Sequence, residues 1–135
     1  GLLELRILFE TENARLAAIN RTDEQAVELK QLVQQEVETA KEDIDTLTEL
    51  DFQFHLLLAM ATDNLCYPLL LNSFKQVYTN LTGIFFSMPS VITTVLALHK
   101  ELSFAVEHRD EKNAVKSMKS LLAHGEKVLK EIITK

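Results

Sequence analysis

The chain has 135 residues, a length that suits one domain built around one core. It contains only three Gly and two Pro residues. This scarcity of turn formers excludes a fold of many short strands and favours long helices. The net charge of −6 excludes strong DNA binding by these residues alone, because phosphate contacts need clustered Lys and Arg.

Apolar residues recur every three to four positions in six segments, and this spacing predicts six helices. In chain order the segments are residues 2–19, 23–41, 47–62, 66–86, 90–108 and 111–134. Capping boxes begin the second and third helices, at Thr22 with Gln25 and at Thr46 with Glu49. The links are short, so neighbouring helices are expected to run antiparallel. The predicted fold is all-α, a single antiparallel bundle, with the Glu- and Gln-rich second helix on the outside.

The sequence also indicates where the protein resides. Cys66 is the single cysteine, and the absence of a disulfide framework fits a reducing cytosol. No apolar run approaches the ~20 residues that span a bilayer, so we expect a cytoplasmic protein outside the membrane. The opening GLLELRILFE has no basic leader and resembles a helix already under way. This predicts a domain of a longer protein, with the other part upstream.

Four polar side chains occupy inward faces of the predicted helices. Asp51 and His55 are four residues apart on the third helix, which places them on one face beside its apolar stripe. His99 on the fifth helix and His124 on the sixth also lie among apolar residues of their helices. His108 is about half a turn out of phase with His99 and is expected to be solvated.

Two interpretations of these four side chains remain open. Each can be a core residue that hydrogen bonds satisfy. Together they can instead hold one metal ion, because neutral imidazoles and a carboxylate suit a divalent transition metal such as Zn, Ni or Mn. Four protein ligands from three helices leave coordination positions open on an octahedral ion.

Arg6 lies between Leu2, Leu5 and Phe9 on the first helix. One interpretation is an arginine that extends its head into water or pairs with Glu10. The other is an anchor that binds a ligand carboxylate through two parallel hydrogen bonds.

The same residues carry a likeness to a known family. The segments are LLELRILFE, ELDFQFHLLLAMATDN, LHKEL and LLAHGEKVL. The chain resembles the FadR-type C-terminal (FCD) domain of GntR-class bacterial transcription regulators. The resemblance implies a sensory domain, typically in a homodimer, joined to an upstream winged helix-turn-helix that binds operator DNA. It assigns the metal to Asp51, His55, His99 and His124, and it implies a small carboxylate effector in a cavity that Arg6 lines.

A second likeness gives an alternative effector. The segment NLCYPLLLNSFKQVYTNLTGIFFSMPS resembles the fatty-acid-responsive member of that family, which binds long-chain acyl-CoA and lacks the complete metal set. This chain departs from it at His55, where that member has a bulky apolar residue, and again around His124. The departures favour a metal-bound carboxylate over acyl-CoA.

Two other function classes remain as rivals. A metal site with open positions can activate water, as in a metal-dependent enzyme. The sequence, however, has no His-Glu-x-x-His or Glu-x-x-His pair, so we expect no enzyme. A pure dimerisation module is the other rival, and in it the inward histidines would be structural.

Overall fold

The computed structural model describes residues 1–134. These residues form seven α-helices and no strand, which confirms the predicted all-α class. The helices are α1 (Leu2–Asn20), α2 (Asp23–Glu38), α3 (Ile44–Met60), α4 (Cys66–Ser73), α5 (Lys75–Phe85), α6 (Pro89–Glu107) and α7 (Glu111–Ile133). None of these helices combines the length and apolarity that a membrane span requires.

Side-chain caps set the starts of α2 and α3, as Asp110 does for α7. α2 begins as predicted, since Thr22 and Gln25 exchange two hydrogen bonds of 3.0 Å between side chain and backbone. α3 begins earlier than predicted because Asp43 is its cap, and the Asp43 carboxylate accepts from the Thr46 amide at 3.2 Å. α2 ends at Glu38, before the predicted residue 41.

The predicted fourth helix is in fact two helices, α4 and α5. Phe74 ends α4 and begins α5 with φ −104° and ψ 6°, a backbone conformation that interrupts the regular helix. Neither Gly nor Pro lies at this break. The apolar spacing of residues 66–86 continues through it, and the sequence therefore does not predict it. Pro68 lies in the first turn of α4, where its missing N–H is tolerated.

Helix α3 lies at the centre of the bundle. It packs against α1, α2, α4 and α5, while α1 and α6 both pack on α7. Besides the main core, a smaller apolar cluster fills the space between α1, α3, α4 and α5. Its buried members are Phe9, Phe52, Ala59, Leu71 and Tyr78. This cluster forms one side of the site described below.

Two arginines join the ends of α1 and α6. Arg21 donates to the carbonyls of Val106 and Glu107 at the end of α6, and Arg109 donates to the carbonyls of Ile19 and Arg21 at the end of α1. Each guanidinium therefore donates to carbonyls at a helix end, where intrahelical donors run out. Arg109 adopts φ 54°, which costs about 1 kcal/mol for a residue with a Cβ; its hydrogen bonds offset that cost.

Candidate metal and effector site

Asp51 and His55 lie one turn apart on the buried face of α3, with 5% and 2% of their surfaces exposed. His99 of α6 is fully buried and meets them there. Asp51 Oδ1 lies 3.2 Å from His99 Nε2 and 3.8 Å from His55 Nε2. The three residues each offer a ligand atom within 4.8 Å of the others. The structure thus brings together three of the four predicted metal ligands.

Outer carboxylates lie against both imidazoles of this cluster. Glu36 of α2 is fully buried, and its oxygens lie 2.9 and 3.0 Å from His99 Nδ1. Glu10 of α1 lies 2.5 Å from His55 Nδ1, a contact that is poorly aligned for a hydrogen bond. The Phe54 ring stacks on His99 at a centroid distance of 4.1 Å. These neighbours direct His99 Nε2 toward Asp51.

The charges around His99 shift its pKa strongly. Burial alone would lower the pKa of this imidazole, but the carboxylates of Glu36 and Asp51 outweigh burial and raise it to about 10. Burial would likewise raise the pKa of Asp51, but His99, His55 and Arg6 hold it below its usual value. Without a metal, His99 is therefore a cation at neutral pH between two carboxylates.

Arg6 is buried and paired. Its Nε donates to Glu10 Oε2 at 2.5 Å, and its Nη2 donates to the Tyr78 hydroxyl at 2.9 Å. Burial alone would raise the pKa of Glu10, but Arg6 and His55 lower it to about 2. Pairing with Glu10 was one of the two predicted roles of Arg6. That pairing is observed, and the pair lies inside the protein, because Glu10 is only 1% exposed.

His124 of α7 lies apart from the three clustered ligands. It is half-buried, and its Nε2 atom is buried without a hydrogen-bond partner among the described residues. Burial and the nearby Lys127 lower the pKa of this imidazole, which keeps it neutral and able to bind a metal. His108 is exposed, as predicted.

A cavity of about 40 Å³ adjoins the cluster. Arg6, Asp51, His55 and His124 all line it, together with Tyr78 and Thr82. Four of the five residues that the sequence singles out therefore face one space. The fifth, His99, lies next to the cavity-lining Asp51, with its Nε2 atom 3.2 Å from the Asp51 carboxylate.

The donor set fits a divalent metal ion. Two imidazoles and a carboxylate converge, and the buried Nε2 atoms of His99 and His124 have no hydrogen-bond partner within residues 1–134. Metal-binding histidines commonly direct their second nitrogen to a carboxylate, as His99 does with Glu36. Asp51, His55 and His99 would hold the ion, and His124 is the candidate fourth ligand from across the cavity.

Three residues of this site were not predicted from the sequence. Glu36 was assigned to an outer helix, yet it continues the buried positions Ala26, Leu29 and Val33 of α2, and that spacing was a usable signal. Glu10 was expected only as a possible partner of Arg6, not of His55. No sequence feature placed Tyr78 in the site, because its contact with Arg6 depends on how α5 packs.

We expect Glu36→Gln to weaken metal binding by roughly 10- to 100-fold, the usual effect of removing an outer carboxylate. Glutamine keeps an acceptor for His99 Nδ1 but removes the charge that raises the basicity of the ring. Competition with a chromogenic chelator measures this affinity. Glu38→Gln is the matched control, since Glu38 is exposed on the same helix. Equal affinities for the two variants would contradict a role for Glu36.

The chain is similar to a known domain family and to named regulator proteins. The FCD domain family model matches residues 1–124. The fatty acid metabolism regulator protein of Shewanella sp. (strain MR-4) is 32% identical over 85 residues, which cover 63% of this chain and 34% of that protein. The protein of the same name from Proteus mirabilis (strain HI4320) is 30% identical over 77 residues, covering 57% and 32%.

A solved structure, Streptococcus agalactiae GntR, superposes with a TM-score of 0.75 at 26% identity. The match covers 91% of this chain and 55% of that one. The chain spans about a third of the length of the curated relatives it matches.

Proposed function

Because this chain belongs to the FCD domain family of GntR-class transcription regulators, we propose that it is an effector-sensing domain with a metal site. The observation that carries the proposal is the buried convergence of Asp51, His55 and His99, with Glu36 and Glu10 behind the two imidazoles. We further propose that the working regulator is a homodimer. Operator DNA would be contacted by a winged helix-turn-helix upstream of these residues.

The proposed effector is a small carboxylate that enters the cavity beside Asp51. A bound Zn, Ni or Mn ion supplies Lewis-acid attraction for that carboxylate. Asp51, His55 and His99, with His124, hold the ion, while Arg6 and Tyr78 shape the polar wall of the cavity. We propose binding without turnover, since a sensor needs only to distinguish occupied from empty.

The site connects helices that are far apart in the sequence. Asp51 and His55 belong to α3, His99 to α6, and Glu10 to α1. An effector can change DNA affinity only through its preference for one arrangement of these helices. Contact between Glu10 and His55 gives α1 a direct path to the metal cluster.

Metal analysis of the untagged chain tests this proposal. We expect about one divalent ion per chain by mass spectrometry, and a lower melting temperature after chelation. A ligand present at a thousand times its Kd stabilises the folded state by about 4 kcal/mol. His99→Ala is expected to lose the ion, whereas His108→Ala retains it because His108 is exposed. A chain that neither contains nor regains metal would overturn the proposed site.

Acyl-CoA is the second candidate effector. It is supported by the similarity to proteins named fatty acid metabolism regulators. The cavity of about 40 Å³ argues against it, because that volume holds roughly three water-sized groups. Tight binding of a long-chain acyl-CoA by the metal-free chain would favour this candidate over the metal-bound carboxylate.

A further inference from the structure

The outer surface of α4 and α5 carries almost no charge. Residues 64–98 contain a single Lys and no Arg, Asp or Glu. That Lys75 lies 3.4 Å from Glu49 of α3 and 5.1 Å from the centroid of the Phe52 ring, so it extends toward α3. The other exposed side chains of α4 and α5 are apolar or neutral. Such a depletion of charge is typical of the core of a protein–protein interface.

A stripe of exposed residues follows these two helices, and we call it the α4–α5 stripe. Its members recur every three or four positions, which places them on one side of each helix. They are Leu65, Leu69, Ser73, Val77, Asn80 and Ile84. The four apolar members are 80%, 68%, 57% and 52% exposed, in chain order. Large apolar side chains grouped in this way on a protein surface mark an interaction site.

The lack of charge favours a second copy of this chain as the partner. A two-fold interface brings the same surface of both copies together, so charged residues on that surface would face like charges. Other helices expose such residues. They include Asp23, Glu24, Glu28 and Glu38 on α2, and Lys112, Lys116, Lys119 and Lys127 on α7. The α4–α5 stripe can meet its own copy without this repulsion.

Helix α5 separates the stripe from the cavity of the candidate site. Tyr78, Thr82 and Phe85 of this helix line the cavity, whereas its residues Val77 and Ile84 are exposed on the outside. A displacement of α5 at the cavity would therefore reach a partner bound to the stripe without passing through another helix.

We propose that the α4–α5 stripe is the two-fold interface of the homodimer, with Ser73 near its centre. This inference rests on the homodimer of the proposed function and assigns its contact surface. Leu65, Leu69, Val77 and Ile84 supply the apolar contacts. Ser73, in the middle of the stripe, lies close to its own copy.

Sedimentation of the 135-residue chain at about 1 to 200 µM measures the dimer dissociation constant. Leu69→Lys is expected to raise this constant at least about tenfold, because two-fold symmetry brings both new ammonium groups into one interface. Leu69 is 68% exposed, so the substitution should not affect folding. Val27→Lys is the matched control, since Val27 is 56% exposed on α2, and it should leave the dimer unchanged.

Cross-linking tests the centre of the interface. Cys66 is the single cysteine, so Cys66→Ser gives a chain without thiols. In that chain, Ser73→Cys should form a covalent dimer with a short bismaleimide. Ser120→Cys, exposed on α7, should remain a single chain under the same conditions. A dimer that Ser73→Cys does not cross-link would overturn the assignment of the stripe.

The same samples separate this inference from the proposed function. A dimer that Leu69→Lys leaves as tight as before overturns the stripe, and the proposed homodimer stands. A chain that is monomeric at every concentration overturns the inference. Metal content, measured in parallel, decides the proposed metal site independently of either result.

Discussion

Arg6→Ala is expected to lower the free energy of unfolding by about 3–5 kcal/mol, the range for removing one partner of a buried ion pair. Glu10 would remain 1% exposed without its main cation, and Tyr78 would lose the hydrogen bond from Arg6 Nη2. Chemical denaturation of the folded chain measures the change. A loss below about 1 kcal/mol would indicate that water reaches Glu10 and replaces the guanidinium.

Arg15 provides a matched control for this substitution. It also forms a salt bridge of 2.5 Å within α1, to Glu12, but the two side chains are 41% and 38% exposed. Arg15→Ala should therefore cost no more than about 1 kcal/mol. Adding Glu10→Gln to the Arg6→Ala chain should recover part of the lost stability, because no buried carboxylate then lacks a cation. Equal costs for Arg6→Ala and Arg15→Ala would contradict the assignment of a buried pair.

Metal affinity is expected to rise about tenfold per pH unit between pH 6 and 8, because the ion must displace a proton from His99. Without metal, the pKa of that imidazole is about 10, so the ring is protonated throughout this range. Calorimetry in buffers of different ionisation enthalpy should detect about one proton released per ion bound. Affinity that is flat with pH, with no proton release, would show that His99 does not bind the metal.

The folding stability of the metal-free chain should fall with rising pH, whereas metal affinity rises. The folded pKa of His99 lies above the unfolded value of about 6.5, so its protonated form stabilises the folded state. That contribution is complete below about pH 6.5 and is lost as pH rises toward 10. Stability of the chelated chain should therefore decrease from pH 7 to 10. His108→Ala should follow the same profile, since His108 is exposed.

Local pattern predicted the parts of the site that lie within single helices. Asp51 and His55 are four residues apart, and helical geometry alone places them together. The inward position of His99 followed from its apolar neighbours. Contacts between residues of different helices were harder to predict, because they depend on which helices pack together. Glu36 shows this well, since it reaches His99 only because α2 packs on both α3 and α6.

The all-α class was predicted, but the helix number was six instead of seven, because one break was missed. Phe74 interrupts the chain between α4 and α5 without a Gly or Pro, so no propensity signal accompanied it. Asp43 was missed as the cap of α3 because Thr46 with Glu49 matches the capping-box pattern three residues later in the sequence.

The paired contacts of Arg21 and Arg109 give α1 the properties of a lever. They fix its C-terminal end to the end of α6, so a tilt of α1 about that pivot would carry Arg6, and its hydrogen bond to Tyr78 of α5, with it. With 19 residues, α1 is about 28 Å long, so a tilt of about 5° displaces its first turn by about 2.5 Å. A shift of about 1.3 Å where Glu10 meets His55, half-way along the helix, would thereby be about doubled at the N-terminal end.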